Sequence, residues 1–381
     1  MLEDRVDSRV DQSEQFLLKE SSKLILFGGK GGVGKTTSAA ATALHIAGAD
    51  PDRKILILST DPAHSLSDSF DRRIGDEPTK IAPNLYALEI DTKKLQKRFI
   101  WEHQVDIFDL ATRTMYFDKD VLLDFFSFSL PGMDELIALM EIISLLNAGE
   151  YDIVILDTAP AGHTIRLLSY IEMMLKQIDV MEMSQTKYRD VEERRRTKYV
   201  KNEADEFLDG MRKDLLGLKT ILRDPSATVF VVVTIPEAMG VYETGRLVTA
   251  LKSNKINIGH IIINGIRPRI ECDFCISRRK KEDKYIREIE NTFSGYDITR
   301  MPLFTHEVRG VENLRRFADV LFGKRYEYEP RPVKLPEPRE AAGSNIRDLL
   351  KRDLQYLFGM AQYIVHRFIW QIRVQYIVHS F

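Results

Sequence analysis

The residues with the clearest chemistry lie in one stretch, Leu24-Ile-Leu-Phe-Gly-Gly-Lys-Gly-Gly-Val-Gly-Lys-Thr-Thr37. Gly29, Gly34, Lys35 and Thr36 fit the spacing G-x-x-x-x-G-K-[ST]. That spacing wraps backbone N–H groups round a diphosphate, carries the Lys35 ammonium to the β- and γ-phosphates and leaves the Thr36 hydroxyl for Mg²⁺. Gly31, Gly32, Val33 and Thr37 complete the cradle, and the glycines let backbone approach the anion closely. Two carboxylates suit the remaining work of splitting a phosphoanhydride with water, which is mostly positioning and charge stabilisation. Asp61, in Ser59-Thr-Asp-Pro-Ala-His-Ser-Leu-Ser-Asp68, could orient the attacking water or accept its proton. Asp157, in Asp157-Thr-Ala-Pro-Ala-Gly-His-Thr164, suits the Mg²⁺ side, and Gly162 would let a backbone N–H meet the γ-phosphate. Taken singly, each aspartate also reads as a helix cap or turn residue. Together with the loop they read as a nucleotide-hydrolysing site.

Such a site needs strands that end where these residues begin. Residues 24–29, Lys54-Ile-Leu-Ile-Leu-Ser59, Asn84-Leu-Tyr-Ala-Leu-Glu-Ile90, Tyr151-Asp-Ile-Val-Ile-Leu-Asp157, Thr228-Val-Phe-Val-Val-Val-Thr234 and Gly259-His-Ile-Ile-Ile-Asn264 are short apolar runs bounded by polar or turn residues, the pattern of buried strands. A helix is predicted over 37–46 and another over 277–290, with helical patterning through 93–150. Strands alternating with helices predict an α/β fold, a doubly wound, mostly parallel sheet with ligands at the strands' carboxyl ends.

The chain has 381 residues, 44% of them apolar, enough for one large domain with insertions. A net charge of −2 gives no global basic field for nucleic acid. Two cysteines, Cys272 and Cys275, rule against a disulfide-stapled secreted scaffold. The acidic first twenty residues do not resemble a signal peptide, and no run approaches the roughly 20 apolar residues that span a bilayer. The expected location is cytoplasmic, with transient membrane association. Residues 1–22 read as a polar lead-in and 23–323 as the nucleotide-binding domain. Residues 324–344, with Pro330, Pro332, Pro336 and Pro338, read as a linker, because each proline removes a backbone donor and disfavours helix before it. In the tail, 345–381, Gln362-Tyr-Ile-Val-His-Arg-Phe368 recurs as Gln375-Tyr-Ile-Val-His-Ser-Phe381. That tail fits a packed or disordered appendage, or an interfacial segment.

Lys30 gives the loop a second lysine, in Gly-Lys-Gly-Gly-Val-Gly-Lys-Thr. Taken alone it is also compatible with a solvated loop cation. The loop resembles the deviant form found among partition, arsenite-pump and tail-anchored-protein-targeting ATPases. Asp61-Pro-Ala-His-Ser-Leu-Ser-Asp68 and Asp157-Thr-Ala-Pro-Ala-Gly-His-Thr-Ile-Arg166 resemble switches I and II of the arsenite-pump ATPase family. The likeness continues in order through Ile235-Pro-Glu-Ala-Met239, Tyr242-Glu-Thr-Gly-Arg-Leu247, Asn264, Cys272-Asp-Phe-Cys275 and Met301-Pro-Leu-Phe-Thr-His-Glu-Val-Arg-Gly310.

The resemblance implies that Asp61 positions the hydrolytic water and that Lys30 reaches the nucleotide of the other subunit in a homodimer. It further implies that Asn264 with the loop Pro302 to Phe304 holds adenine, and that Glu237 contacts nucleotide near the dimer interface. Cys272 and Cys275 supply only two of the four ligands usual for structural zinc, and the targeting members complete it with the same pair from a second copy. A redox pair and two ordinary thiols are the other readings of this spacing. Eight of the twelve methionines fall between Met115 and Met211. Composition alone fits core filling, whereas the resemblance makes the segments at about 93–150 and 165–222 a helical subdomain with a groove for hydrophobic transmembrane segments of client proteins. The expected function is a Mg²⁺-dependent, dimeric ATPase that captures and releases such clients, with a membrane receptor as a further partner. An arsenite-efflux ATPase subunit is the nearest rival, and the two halves expected of that pump are not both present. A membrane-positioning or partition ATPase, an iron–sulfur scaffold ATPase and a non-enzymatic holdase complete the alternatives.

Overall fold

The computed structural model describes residues 22–60, 65–106, 133–158, 170–183, 203–267, 273–324 and 326. The chain divides into two compact units, 1–328 and 329–381. The second lies outside the described residues, as do residues 1–21, the prolines of the linker and the repeated tail.

Among the described residues, eight strands form one sheet in the order β3-β4-β2-β5-β1-β6-β7-β8. These are β1 (Leu24–Gly29), β2 (Ile55–Ser59), β3 (Thr79–Ala82), β4 (Leu85–Glu89), β5 (Ile153–Asp157), β6 (Thr228–Thr234), β7 (Ile258–Ile266) and β8 (Asp297–Pro302). All neighbours pair in parallel except β3 with β4. Six strands were expected. The two additional ones, β3 and β8, lie at the sheet edges and carry partly exposed, polar sequences. They lack the continuous apolar signal that burial on both faces imposes on a central parallel strand.

That burial is visible strand by strand. Leu24, Leu26, Leu56, Leu58, Val154 and Leu156 join one core cluster, while Ile25, Phe27, Ile55, Ile57, Ile153 and Ile155 join the other. Successive side chains of a strand point to opposite faces, so a fully apolar run feeds two layers of helices. Helices Lys35–Ala49 and Gly310–Leu321 cover one face, while helices Met133–Asn147, Glu203–Arg223 and Asp273–Thr292 contribute to the cluster on the other. The described parts of 93–150 and 165–222 are helical apart from short turns, including 93–102 and 170–183. Met174, Met181 and Met211 are buried in this layer, whereas Met183 is 65% exposed. Core filling therefore accounts for these three, and the half-buried Met140 packs against the same cluster. A cavity of about 10 Å³ lined by Phe99, Met140, Met174 and Met211 shows how closely thioethers fill this interior.

One buried group ties the sheet to pH. His260 on β7 sets its Nε2 2.7 Å from the Thr299 hydroxyl of β8, and burial lowers its pKa from 6.5 to about 4 against an opposing pull from Asp297. The unfolded chain takes up a proton near pH 6.5 and the folded one near pH 4. Stability is therefore complete above pH 6.5 and declines as pH falls to about 4, by about 3 kcal/mol. Denaturant unfolding of wild type and His260→Gln at pH 7 and pH 4.5 checks this. The stability advantage of wild type over the variant should shrink by most of that amount in acid, and an unchanged difference would contradict the assignment.

Candidate active site

β1 lies between β5 and β6. The chain leaves β1 for β2 on one side of it and leaves β6 for β7 on the other. This reversal opens a crevice at the carboxyl ends of the central strands, where doubly wound sheets bind ligands. The loop 30–34 runs from β1 into helix Lys35–Ala49 at that end. The helix starts two residues before and ends three residues after the predicted 37–46, and Lys35 and Thr36 form its first turn. Its orphan N–H groups therefore face the same crevice.

Gly34 is the N-cap, left-handed at φ 92° and ψ 28°. A Cβ there would collide with the side-chain amide of Asn264, which donates 2.9 Å to the Val33 carbonyl. Asn264 thus anchors the loop from β7. Gly34→Ala would force an L-residue into a conformation costing about 1–2 kcal/mol and displace that anchor. ATP binding by calorimetry should weaken by at least about ten-fold, since each 1.4 kcal/mol is a factor of ten. Gly48→Ala in the same helix has nothing within 4 Å of the added carbon and should bind like wild type.

Strand register brings the metal-side groups together. Asp157 lies level with Phe27 on β1 and with Ser59 on β2. Its Oδ2 accepts from Thr36 Oγ1 at 2.6 Å and from Ser59 Oγ at 3.3 Å, and the residue is 1% exposed. A hydroxyl and a carboxylate side by side form the hard oxygen donor set that Mg²⁺ prefers. Lys35 is 6% exposed, with Nζ 3.5 Å from the Lys30 carbonyl, so its charge is held in the loop. Thr158, the next residue after Asp157, donates its hydroxyl 2.8 Å to the Phe27 carbonyl. Ser59 and Thr158 were not picked out from sequence. Their one signal was position, at or just beyond a strand end beside a candidate carboxylate.

Further round the crevice, Leu303 N donates to Ile266 O at 2.8 Å, and Pro302 pairs in register with Ile266. Asn264 and Pro302 therefore occupy the carboxyl ends of adjacent strands. The Phe304 ring instead packs inward against Phe317 and Tyr326, at centroid distances of 5.2 and 4.6 Å. It supports the loop, and Leu303 is the exposed apolar residue beside it. Lys30 is half-buried, and Glu237 is exposed at the N-cap of helix Ala238–Ser253. Asp61, Gly162 and Cys272 lie outside the described residues, as does the side chain of Cys275, whose backbone belongs to helix Asp273–Thr292. Among the described residues no group of three or more His, Cys, Asp or Glu is arranged to hold a metal.

A parallel sheet carrying a lysine-threonine phosphate loop beside a buried carboxylate defines a P-loop nucleotide hydrolase. The sequence profile of the anion-transporting ATPases matches residues 22–323, so the chain belongs to that family and is an ATP-hydrolysing enzyme. It is 34% identical to ATPase ASNA1 homolog 1 of Paramecium tetraurelia, covering 80% of this chain and 94% of that one. It is 33% identical to the ATPase ASNA1 homolog of Dictyostelium discoideum, over 85% and 96% of the two chains. Against ATPase GET3 of Chaetomium globosum the identity is 32%, over 81% and 92%. These relatives make it an ATPase of the GET3 type. No helix among the described residues is long and apolar enough to cross a membrane.

Proposed function

We propose that this ATPase works as a cytoplasmic homodimer that captures and releases the hydrophobic transmembrane segments of tail-anchored membrane proteins, meeting a membrane receptor at delivery. The observation carrying this reading is apolar exposure on the helical layer. Trp101 is 70% exposed and Met183 65%, with Val105 and Val180 also exposed. They lie near the ends of two helical segments that lead into 107–132 and 184–202, and residues such as Leu122, Phe125 and Phe126 continue the apolar character. Met239 and Tyr242, the latter 67% exposed, and Ile276 on the following helix offer apolar surface to a second copy near Glu237.

In this reading the Lys35 ammonium holds the terminal phosphates, while Thr36 and Asp157 are the residues that would hold Mg²⁺, which supplies charge neutralisation to the phosphates. Asp61 orients water for attack, and Gly162 offers a backbone N–H to the γ-phosphate. Lys30 acts across the dimer, and Asn264 with the loop Pro302 to Phe304 flanks the adenine. Cys272 and Cys275 share a zinc with the same pair of a second copy. ATP favours the closed dimer and its groove, and hydrolysis weakens that state.

The test is co-purification in ATP of a client bearing a C-terminal transmembrane segment, beside the same client lacking it. Equal recovery of both would remove the client reading. Absence of zinc from a stable dimer would remove the shared metal.

A further inference from the structure

The end of β7 holds two loops of the crevice. Asn264 donates to the Val33 carbonyl of the phosphate loop at 2.9 Å, and the Ile266 carbonyl accepts from Leu303 N at 2.8 Å. Yet the sheet grips this strand end incompletely. The register of β7 against β6 runs only as far as Ile263, and its register against β8 shifts between Ile263 and Ile266, where Gly265 turns left-handed at φ 71°. A ladder is locally disrupted at such a shift, so it does not by itself set the residues beyond.

The missing hold comes from helix Asp273–Thr292. Arg267, the residue after β7, gives both of its backbone polar groups to side chains of that helix. Its N–H donates to Glu282 Oε2 at 3.2 Å, and its carbonyl accepts from Arg279 Nη1 at 2.6 Å. Its guanidinium also pairs with Glu282 Oε1. Arg279 and Glu282 are three residues apart, hence neighbours on one helix face, so two adjacent side chains grip a single residue. Arg279 is itself steadied by Asp283, with Nε 3.0 Å from Oδ1. Glu282 is 6% exposed, and a buried carboxylate is tolerated when a guanidinium and a backbone N–H both reach it. Charge-assisted bonds of this kind are about twice as strong as neutral ones.

We infer that Arg279 and Glu282 are positioning residues for nucleotide binding. By holding Arg267 they fix the strand end whose Asn264 anchors the phosphate loop and whose Ile266 carries the loop Pro302 to Phe304. This role presupposes that the loop anchored by Asn264 is the one that holds ATP. Loss of either side chain loosens the cradle for ground state and transition state alike, and binding lost equally from both raises KM without lowering kcat. Lys35, Thr36 and Asp157 stay in place, so the chemical step keeps its groups.

The experiment compares full-length wild type, Asn264→Ala, Arg279→Ala, Arg279→Lys and Glu282→Ala in ATP affinity by calorimetry, kcat and KM, thermal midpoint and amide hydrogen exchange. Arg279→Ala and Glu282→Ala should each weaken ATP binding by at least about five-fold, within the range that changes along a connected network produce. Their kcat at saturating ATP should stay within about two-fold of wild type. The Leu303 amide, whose acceptor is Ile266, should exchange faster while the amides of β1 do not. Arg279→Lys, which keeps a donor for the Arg267 carbonyl, should recover most of the affinity. Asn264→Ala combined with Glu282→Ala should cost less than the two single losses added, because both act on one strand end. Wild-type affinity in Arg279→Ala and Glu282→Ala, beside a weakened Asn264→Ala, removes the positioning role and leaves the anchor standing. Affinity, kcat and thermal midpoint falling together, with exchange raised throughout the sheet, describes a fold contact and removes the role as well. If Asn264→Ala itself binds ATP like wild type, the anchor fails, and the role that acts through it fails with it.

Discussion

Replacing Asp157 by Asn is expected to cut ATP hydrolysis by about 100-fold or more, the range seen when a group that stabilises transition-state charge is removed. The side chain keeps its shape, and Asn can still accept from Thr36 Oγ1, the 2.6 Å partner in wild type. What disappears is the negative charge beside that hydroxyl. Mg²⁺ is held by oxygen donors and by charge, so the metal concentration needed for half-maximal rate should rise, while ATP affinity measured in chelator should stay unchanged. The fold should tolerate the change. Asp157 is 1% exposed, and a neutral amide of the same shape costs less to bury than an ionised carboxylate. The expected signature is lost activity with an equal or higher melting temperature. Hydrolysis within about ten-fold of wild type at high Mg²⁺ would remove Asp157 from the metal side.

Asp61→Asn is expected to separate binding from turnover. A residue that orients water or accepts its proton contributes about 10²–10⁴-fold to rate and nothing to the grip on phosphates. ATP affinity should match wild type, because the loop anchored by Asn264 through Val33 and the buried Lys35 are untouched. Hydrolysis should fall by at least about 100-fold. In the proposed cycle ATP favours the client-holding dimer, so the variant should retain a transmembrane-segment client in ATP for far longer than wild type does. Both outcomes are read in one pull-down, with released phosphate measured alongside retained client. A variant that still hydrolyses ATP sinks the role of Asp61. One that is inactive yet releases client at the wild-type rate sinks the coupling of hydrolysis to release.

Legibility along the chain followed burial. β1, β2, β5 and β6 are enclosed on both faces, and their uninterrupted apolar runs identified them with ends correct to within about two residues, the usual limit of such assignments. β3 and β8 are half-exposed edge strands and were not among the six expected. The helical layer was recognised as helical, but periodicity could not say which methionines face inward, because neighbouring helices decide that. Met174 and Met181 are buried, and Met183, two residues on, is exposed.

Sequence by itself determined the chemistry available. The glycine-lysine-threonine spacing dictates a phosphate cradle, and the apolar runs before it and up to Asp157 dictate strands that deliver the loop and that carboxylate to one end of a sheet. These are local consequences of backbone sterics and side-chain burial, so a few neighbouring residues suffice to encode them. Only the tertiary structure decided which distant groups meet. Thr36 finds Asp157 across 121 residues, Val33 finds Asn264 across 231, and Ser67 finds Glu89 across 22. Each meeting depends on the order and register of strands. Strand order follows from how whole helices pack on the two faces, and no single stretch of the chain specifies that.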